Sequence, residues 1–133
     1  MVNNPIHKIS LLNRMAQQFF TQPLPQIDVK QLAQRMSEAH EGLQLIDVRE
    51  EQEIAIAQIE GFENLPLSEF EQWSNHIQTR LNPEAETLVL CHHGVRSAQM
   101  CQWLMNQGFT NVKNIVGGID AYSLVVDRSI PRY

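Results

Sequence analysis

The sequence predicts an α/β fold: a mainly parallel central sheet with helices on both faces, and an extra helix at the N-terminus. Three observations carry that expectation. Runs of strand length at residues 43–48, 87–91 and 111–116 are bounded by turn residues, and the first two are rich enough in apolar side chains to be buried on both sides. Between them lie stretches whose apolar residues recur at spacings of three and four, the signature of amphipathic helices. Finally, 133 residues with 43% hydrophobic and 19% charged side chains suit one ordinary domain that folds without a metal or disulfide staple.

Taken in order, Ile6, Ile9, Leu12, Met15, Ala16 and Phe19 share one face of a predicted first helix, which Pro23 and Pro25 end. Residues 1–25 are therefore expected to form a helical extension with a proline-containing connector, and residues 26–133 the main domain. Asp28 can cap a helix over roughly 29–39 with Val29, Leu32, Ala33 and Met36 on one side, closed by Gly42. Strand 43–48 follows, then an acidic helical turn at 50–55 whose Glu50, Glu51 and Glu53 read as a solvated face. Residues 59–66 contain a Gly and a Pro and suit only a short strand. Ser68 and Glu71 have capping-box spacing ahead of Phe70 and Trp73. Strand 87–91 leads through a polar loop into a helix over roughly 97–106, with Ala98, Cys101, Leu104 and Met105 as its core stripe and Gly108 as its stop. Strand 111–116, the Gly117-Gly118 turn and a last helix near 119–125 complete the pattern.

Composition narrows the function classes. A net charge of −5 argues against a nucleic-acid-binding face. No apolar run approaches the ~20 residues that cross a bilayer, and the first ten residues lack the basic start and apolar stretch of a secretory signal. Two cysteines, Cys91 and Cys101, form neither a metal quartet nor a C-x-x-C pair nor a secreted disulfide framework. The expectation is a cytoplasmic protein that contacts neither membrane nor nucleic acid and carries no cofactor.

The informative segment is Cys91-His92-His93-Gly94-Val95-Arg96-Ser97. It lies where a buried strand turns into a helix, and ligands of open α/β sheets bind beyond the carboxyl ends of strands. The first helical turn offers backbone N–H groups without intrahelical partners, and the helix dipole favours an anion there. A cysteine at that place is expected to act as a thiolate. Gly94 can bend the chain around the sulfur, and Arg96 adds a planar, permanently charged donor fork. Cys91 is the candidate nucleophile; His92, His93, Gly94, Val95 and Arg96 are the candidate anion-binding residues; Asp47, Arg49 and Ser97 are candidate supports of the loop.

These motifs resemble the rhodanese family over nearly the whole chain from about residue 27 onward. Leu45-Ile46-Asp47-Val48-Arg49-Glu50 is similar to the family's strand signature, and Gly61 with Asn64-Leu65-Pro66 to its second element. Residues 88–97 resemble its active loop, and Gly117-Gly118-Ile119-Asp120-Ala121 its closing motif. Two positions differ: Gln58 stands where the family usually has His, and Tyr122 where Trp is common. The resemblance implies a rhodanese-like domain in which Cys91 carries sulfane sulfur as a persulfide. It further implies a small anionic donor such as thiosulfate, and a thiol, cyanide or a protein cysteine as acceptor.

Two alternatives share the loop. Cysteine phosphatases and arsenate reductases place five residues between Cys and Arg, whereas four stand between Cys91 and Arg96. A shorter ring fits a sulfur atom better than a tetrahedral phosphate. A non-catalytic binding or regulatory module of the same fold is the other alternative, against which the presence of Cys91 counts. Adjacent His92 and His93 do not complete a metal set of known spacing, so no metal is expected. Cys101, about four residues into the helix, falls in its apolar stripe and reads as a core residue rather than a resolving thiol. Asp47 and Arg49 suit an ion pair tying the strand to its neighbour.

Overall fold

The computed structural model describes residues 24–38 and 41–133. The helix expected over 6–20 and the extension assigned to 1–25 fall almost wholly outside the described residues. Five parallel strands form one sheet in the order β1-β5-β4-β2-β3. They are β1 (Gln26–Ile27), β2 (Gln44–Asp47), β3 (Glu63–Asn64), β4 (Thr87–Leu90) and β5 (Val112–Ile115). The helices are α1 (Val29–Ser37), α2 (Glu51–Ile56), α3 (Phe70–Trp73), α4 (Ile77–Arg80), α5 (Val95–Asn106) and α6 (Gly118–Val125).

The middle strand explains why both faces are covered. Successive side chains of a strand point to opposite sides. On β4, Val89 joins Ile46, Trp73, Ile77, Met100, Cys101 and Leu104 in one core cluster. Its neighbours Leu88 and Leu90 join Leu32, Ile115, Ile119 and Tyr122 in the other. All four residues of β4 are buried, as a strand between two helical layers must be. Helices α1 and α6 pack together over the second cluster. Strand register sets Asp47 beside Leu90 and Val89 beside Asn114, so the ends of β2, β4 and β5 converge where β4 runs out.

Local chemistry sets most boundaries. Asp28 caps α1: its Oδ1 accepts from the Gln31 N–H at 2.7 Å, while Gln31 Oε1 accepts from the Asp28 N–H at 2.9 Å. Helix α5 closes at Gly108, whose φ of +95° lets its own N–H and that of Phe109 reach back to Met105 and Leu104.

Four expectations need correction. Helix α1 ends at Ser37, so Gly42, with φ +84°, serves the turn into β2 rather than the helix stop. Helix α5 begins at Val95, two residues before 97, and buries Ser97 and Met100 with Cys101 and Leu104, leaving Ala98 and Met105 only partly covered. Ser68 and Glu71 form no capping box: Pro66 precedes a 3₁₀ turn over Leu67–Glu69, and the Ser68 hydroxyl donates to Glu50 instead. The acidic run is a solvated face only at Glu51; Glu50 and Glu53 form the capping box that starts α2.

Candidate active site

Cys91 stands one residue beyond β4, 1% exposed, with its Sγ turned into the loop that follows. The Gly94 N–H donates to that sulfur at 3.0 Å. Gly94 is the N-cap of α5 with φ +107°, a backbone state that side chains other than glycine rarely adopt. The ring of loop atoms therefore closes on Sγ at the positive end of a twelve-residue helix. Ser97, fully buried, sets its Oγ 3.2 Å from Sγ and donates to Asn114 Oδ1 at 2.5 Å. Asn114 in turn donates from Nδ2 to the Gly94 carbonyl at 3.0 Å.

The loop is fastened from α6, while a buried pair at the end of β2 holds Tyr133, which stacks on His92. From α6, the Ile119 and Asp120 N–H groups donate to the carbonyls of Cys91 and His92 at 3.0 and 3.1 Å. The approach is so close that a Cβ on Gly118 would land on those two carbonyl oxygens. From β2, the Asp47–Arg49 pair is buried to 1% and 0%. Arg49 donates from Nε and Nη2 to the Asp47 carboxylate, from Nη2 to the Ala57 carbonyl at 2.8 Å, and from Nη1 to Tyr133 Oη at 2.8 Å. Burial works against the guanidinium charge, and hydrogen bonds to Asp47 and Tyr133 outweigh it, so the pKa of Arg49 stays above its ordinary value. Asn64 Nδ2 bridges the carbonyls of Asp47 and Arg49 at 2.9 and 2.8 Å, locking the turn.

Arg96 is engaged by a carboxylate. Its Nη1 and Nη2 donate to Glu53 Oε2 and Oε1 at 2.6 and 2.9 Å, a bidentate pair at the site's rim. Arg96 holds the Glu53 carboxyl down to about 2, against burial that pushes the other way, and Glu53 raises Arg96 in return. Tyr133 completes this corner: its hydroxyl donates to Glu53 Oε1 at 3.0 Å and its ring stacks on His92 at 3.9 Å, 4° from parallel. His92 also lies against His93, and its Nε2 is buried with no hydrogen-bond partner among the described residues. Burial, then the neighbouring His93, lower the pKa of His92 and favour its neutral ring. His93 is exposed, 3.9 Å from Asp120, and Val95 projects outward at 69% exposure.

Residues 91–97 form one loop and helix start, the Asp47–Arg49 pair meets Tyr133 rather than the loop itself, and the rings of the two histidines turn to a stack. Glu53, Asn114 and Tyr133 were missed. Glu53 was hidden in an acidic run, Asn114 sits inside a strand, and Tyr133 lies 37 residues beyond Arg96. Cys101 lies wholly inside the core, its thiol pushed up to about 12 by burial and then by nearby Cys91. Of the two departures, Gln58 is exposed and Tyr122 is buried at 9%. Among the described residues no group of three or more His, Cys, Asp or Glu side chains could hold a metal ion. No helix among them is long and apolar enough to cross a membrane.

The rhodanese-like domain family matches residues 28–124. The chain belongs to this family. A sulfurtransferase of Allochromatium vinosum is 33% identical over 102 residues, covering 74% of this chain and 87% of that protein. The rhodanese-like/PpiC domain-containing protein 12 of Arabidopsis thaliana, described as chloroplastic, is 49% identical over 114 residues, 84% of this chain. This chain spans only 38% of that protein's length, and 49% of the putative sulfur carrier protein YrkF of Bacillus subtilis, to which it is 34% identical. Among solved structures, SSP1007 from Staphylococcus saprophyticus shares 28% identity and a TM-score of 0.64 over 82% of this chain and 100% of that one. The rhodanese-like α/β sheet is therefore the family fold, and the strand-end Cys91 lies within the matched residues.

Proposed function

We propose that this protein is a sulfurtransferase that moves sulfane sulfur from an anionic donor such as thiosulfate to a thiophilic acceptor through a persulfide on Cys91. The observation that carries the reading is the Gly94 N–H aimed at Sγ from the N-terminus of α5, four residues being enough to close the loop on one sulfur atom. In the first half-reaction the Cys91 thiolate attacks the outer sulfur of thiosulfate. A new S–S bond forms, the old one breaks, and sulfite leaves with its electron pair. In the second, a thiol, cyanide or protein cysteine attacks the outer sulfur of the persulfide, and the Cys91 thiolate leaves. Loop N–H groups at the helix start stabilise the charge that moves between donor, persulfide and thiolate.

Arg96 uses two of its five donors on Glu53, leaving others for an incoming anion. In this reading it binds the donor while Glu53 fixes its direction. Val95 and His93 line the exposed approach, and His92, stacked and neutral, forms a wall. Asp47, Arg49 and Ser97 hold the loop in shape. The test compares turnover of thiosulfate with turnover of an aryl phosphate by the same protein. Thiosulfate is expected to be used far faster; comparable phosphatase turnover lost in Cys91→Ser would overturn the sulfur assignment.

A further inference from the structure

The hydrogen bonds around Cys91 form a closed ring whose direction can be worked out proton by proton. A carbonyl oxygen can only accept, so Asn114 must turn its Nδ2 toward Gly94 O, 3.0 Å away. Its Oδ1 then faces Ser97 Oγ at 2.5 Å. The Ser97 hydroxyl has one proton, and at that distance Asn114 holds it. What Ser97 offers Sγ at 3.2 Å is therefore a lone pair. A neutral Cys91 completes the ring by donating S–H to Ser97 Oγ, while the Gly94 N–H donates to the sulfur from the other side. When the thiol proton leaves to solvent, the ring is frustrated. Ser97 must either face a thiolate with its lone pair or rotate its hydroxyl and abandon Asn114. Both groups are buried, Ser97 at 0% and Asn114 at 5%, so an abandoned Oδ1 has little access to water.

We propose that Asn114 is a positioning residue for the reacting sulfur: by holding the single Ser97 proton it biases Cys91 toward the protonated form and makes the Ser97 hydroxyl a donor to sulfur only after rotation. In a persulfide Sγ bears no proton but the charge sits on the outer sulfur, so Ser97 can stay with Asn114 at less cost than beside a thiolate. Asn114 thereby favours the loaded state over the free thiolate. The inference rests on the persulfide reading for its role in turnover, but the proton assignment itself stands on geometry alone.

Other titratable groups lie on the elements around the loop: Arg96 and Cys101 on α5, His92 and His93 on the loop, Asp120 on α6, Glu53 on α2, the Asp47–Arg49 pair at the end of β2 and Tyr133 against His92. A double-mutant cycle holds them constant. The measurement is the ultraviolet absorbance of the Cys91 thiolate against pH for wild type, Asn114→Leu, Ser97→Ala and the double variant, with Cys91→Ser as the blank. Cys101, held up to about 12, stays silent in the working range. Asn114→Leu keeps the branched shape and removes both the acceptor and the donor, and the Gly94 carbonyl retains the Ala98 N–H at 3.3 Å. With Ser97 free to donate to sulfur, the titration midpoint should fall by about one pH unit, a tenfold gain in thiolate below the midpoint. In the Ser97→Ala background the same substitution should move the midpoint far less, because only the Asn114 contact with the Gly94 carbonyl is left to act. An unchanged or raised midpoint in Asn114→Leu, or an equal shift with and without Ser97, would overturn the proposal. Should Asn114→Leu melt early, Asn114→Ala is read in the same cycle with the same expectation. Mass analysis after thiosulfate separates the two ideas: a wild type that takes up no sulfur defeats the sulfurtransferase reading and leaves the proton assignment to the titration.

Discussion

The two cysteines make an instructive pair. Both are free, both are buried, and both belong to the same core cluster on one face of the sheet. Cys101 sits in the middle of α5, surrounded by apolar side chains, with its thiol pushed up to about 12 by burial first and by Cys91 second. Cys91 sits at a strand end, with the Gly94 N–H on one side, the Ser97 hydroxyl on the other and the helix start ahead of it. Burial alone therefore does not tell the two thiols apart. What differs is the polar setting: the Gly94 N–H and the start of α5 face Cys91, and only the strand-to-helix turn supplies them.

The largest effect should come from exchanging the two roles. Cys91→Ser is expected to abolish thiosulfate:cyanide sulfurtransfer with little change in the thermal melt. Cys101→Ala should do the reverse: activity within about twofold and a loss of roughly 1 kcal/mol from the vacated core volume. Steady-state rates beside melts check both, and a Cys101 variant as dead as the Cys91 variant would break the contrast.

Next comes the rim. Arg96→Ala removes a charge-assisted donor worth roughly 1.5–3 kcal/mol, about 10- to 100-fold in rate or affinity for thiosulfate. Arg96→Lys should recover only part, since a point charge replaces the fork. Rates against thiosulfate concentration decide; unchanged kinetics, or a defect confined to the melting temperature, would make the Glu53 pair purely structural.

A smaller effect sharpens the same corner. Glu53 has its carboxyl lowered from 4.5 to about 2, chiefly by its hydrogen bonds from Arg96. A depressed folded-state pKa adds stability that is present above 4.5 and lost as pH falls toward about 2. Wild-type melting temperature should therefore decline across that window. Glu53→Gln, which keeps a polar side chain without the titration, should show a lower but flatter profile there. Parallel profiles for the two proteins would mean that this carboxylate does not carry the acid sensitivity.

How much of this was legible in the sequence follows from the range of the interactions. Alternating strands and helices, the Asp28 cap and the Gly108 stop depend on neighbours within a few residues, and each has a local signature. The Cys91 loop was legible for the same reason: six consecutive residues carry both nucleophile and charge. Partners brought in by the sheet were not. Asn114 meets Gly94 only because β5 lies beside β4, and its register is set by backbone pairing rather than by any motif. Glu53 looked like one more solvated acid until the turn after β2 carried it to Arg96. Ser68 shows the converse: a local capping pattern lost to a distant carboxylate, Glu50, placed by the start of α2.

The account turns on whether Cys91, and not its neighbour in the same core, holds transferable sulfur. Intact-mass measurement after incubation with thiosulfate and removal of excess donor tests this most directly. The prediction is a gain of one sulfur atom on the wild-type protein, released by added cyanide and absent from Cys91→Ser but present in Cys101→Ala. No gain on the wild type, or a gain that survives in Cys91→Ser, would contradict it.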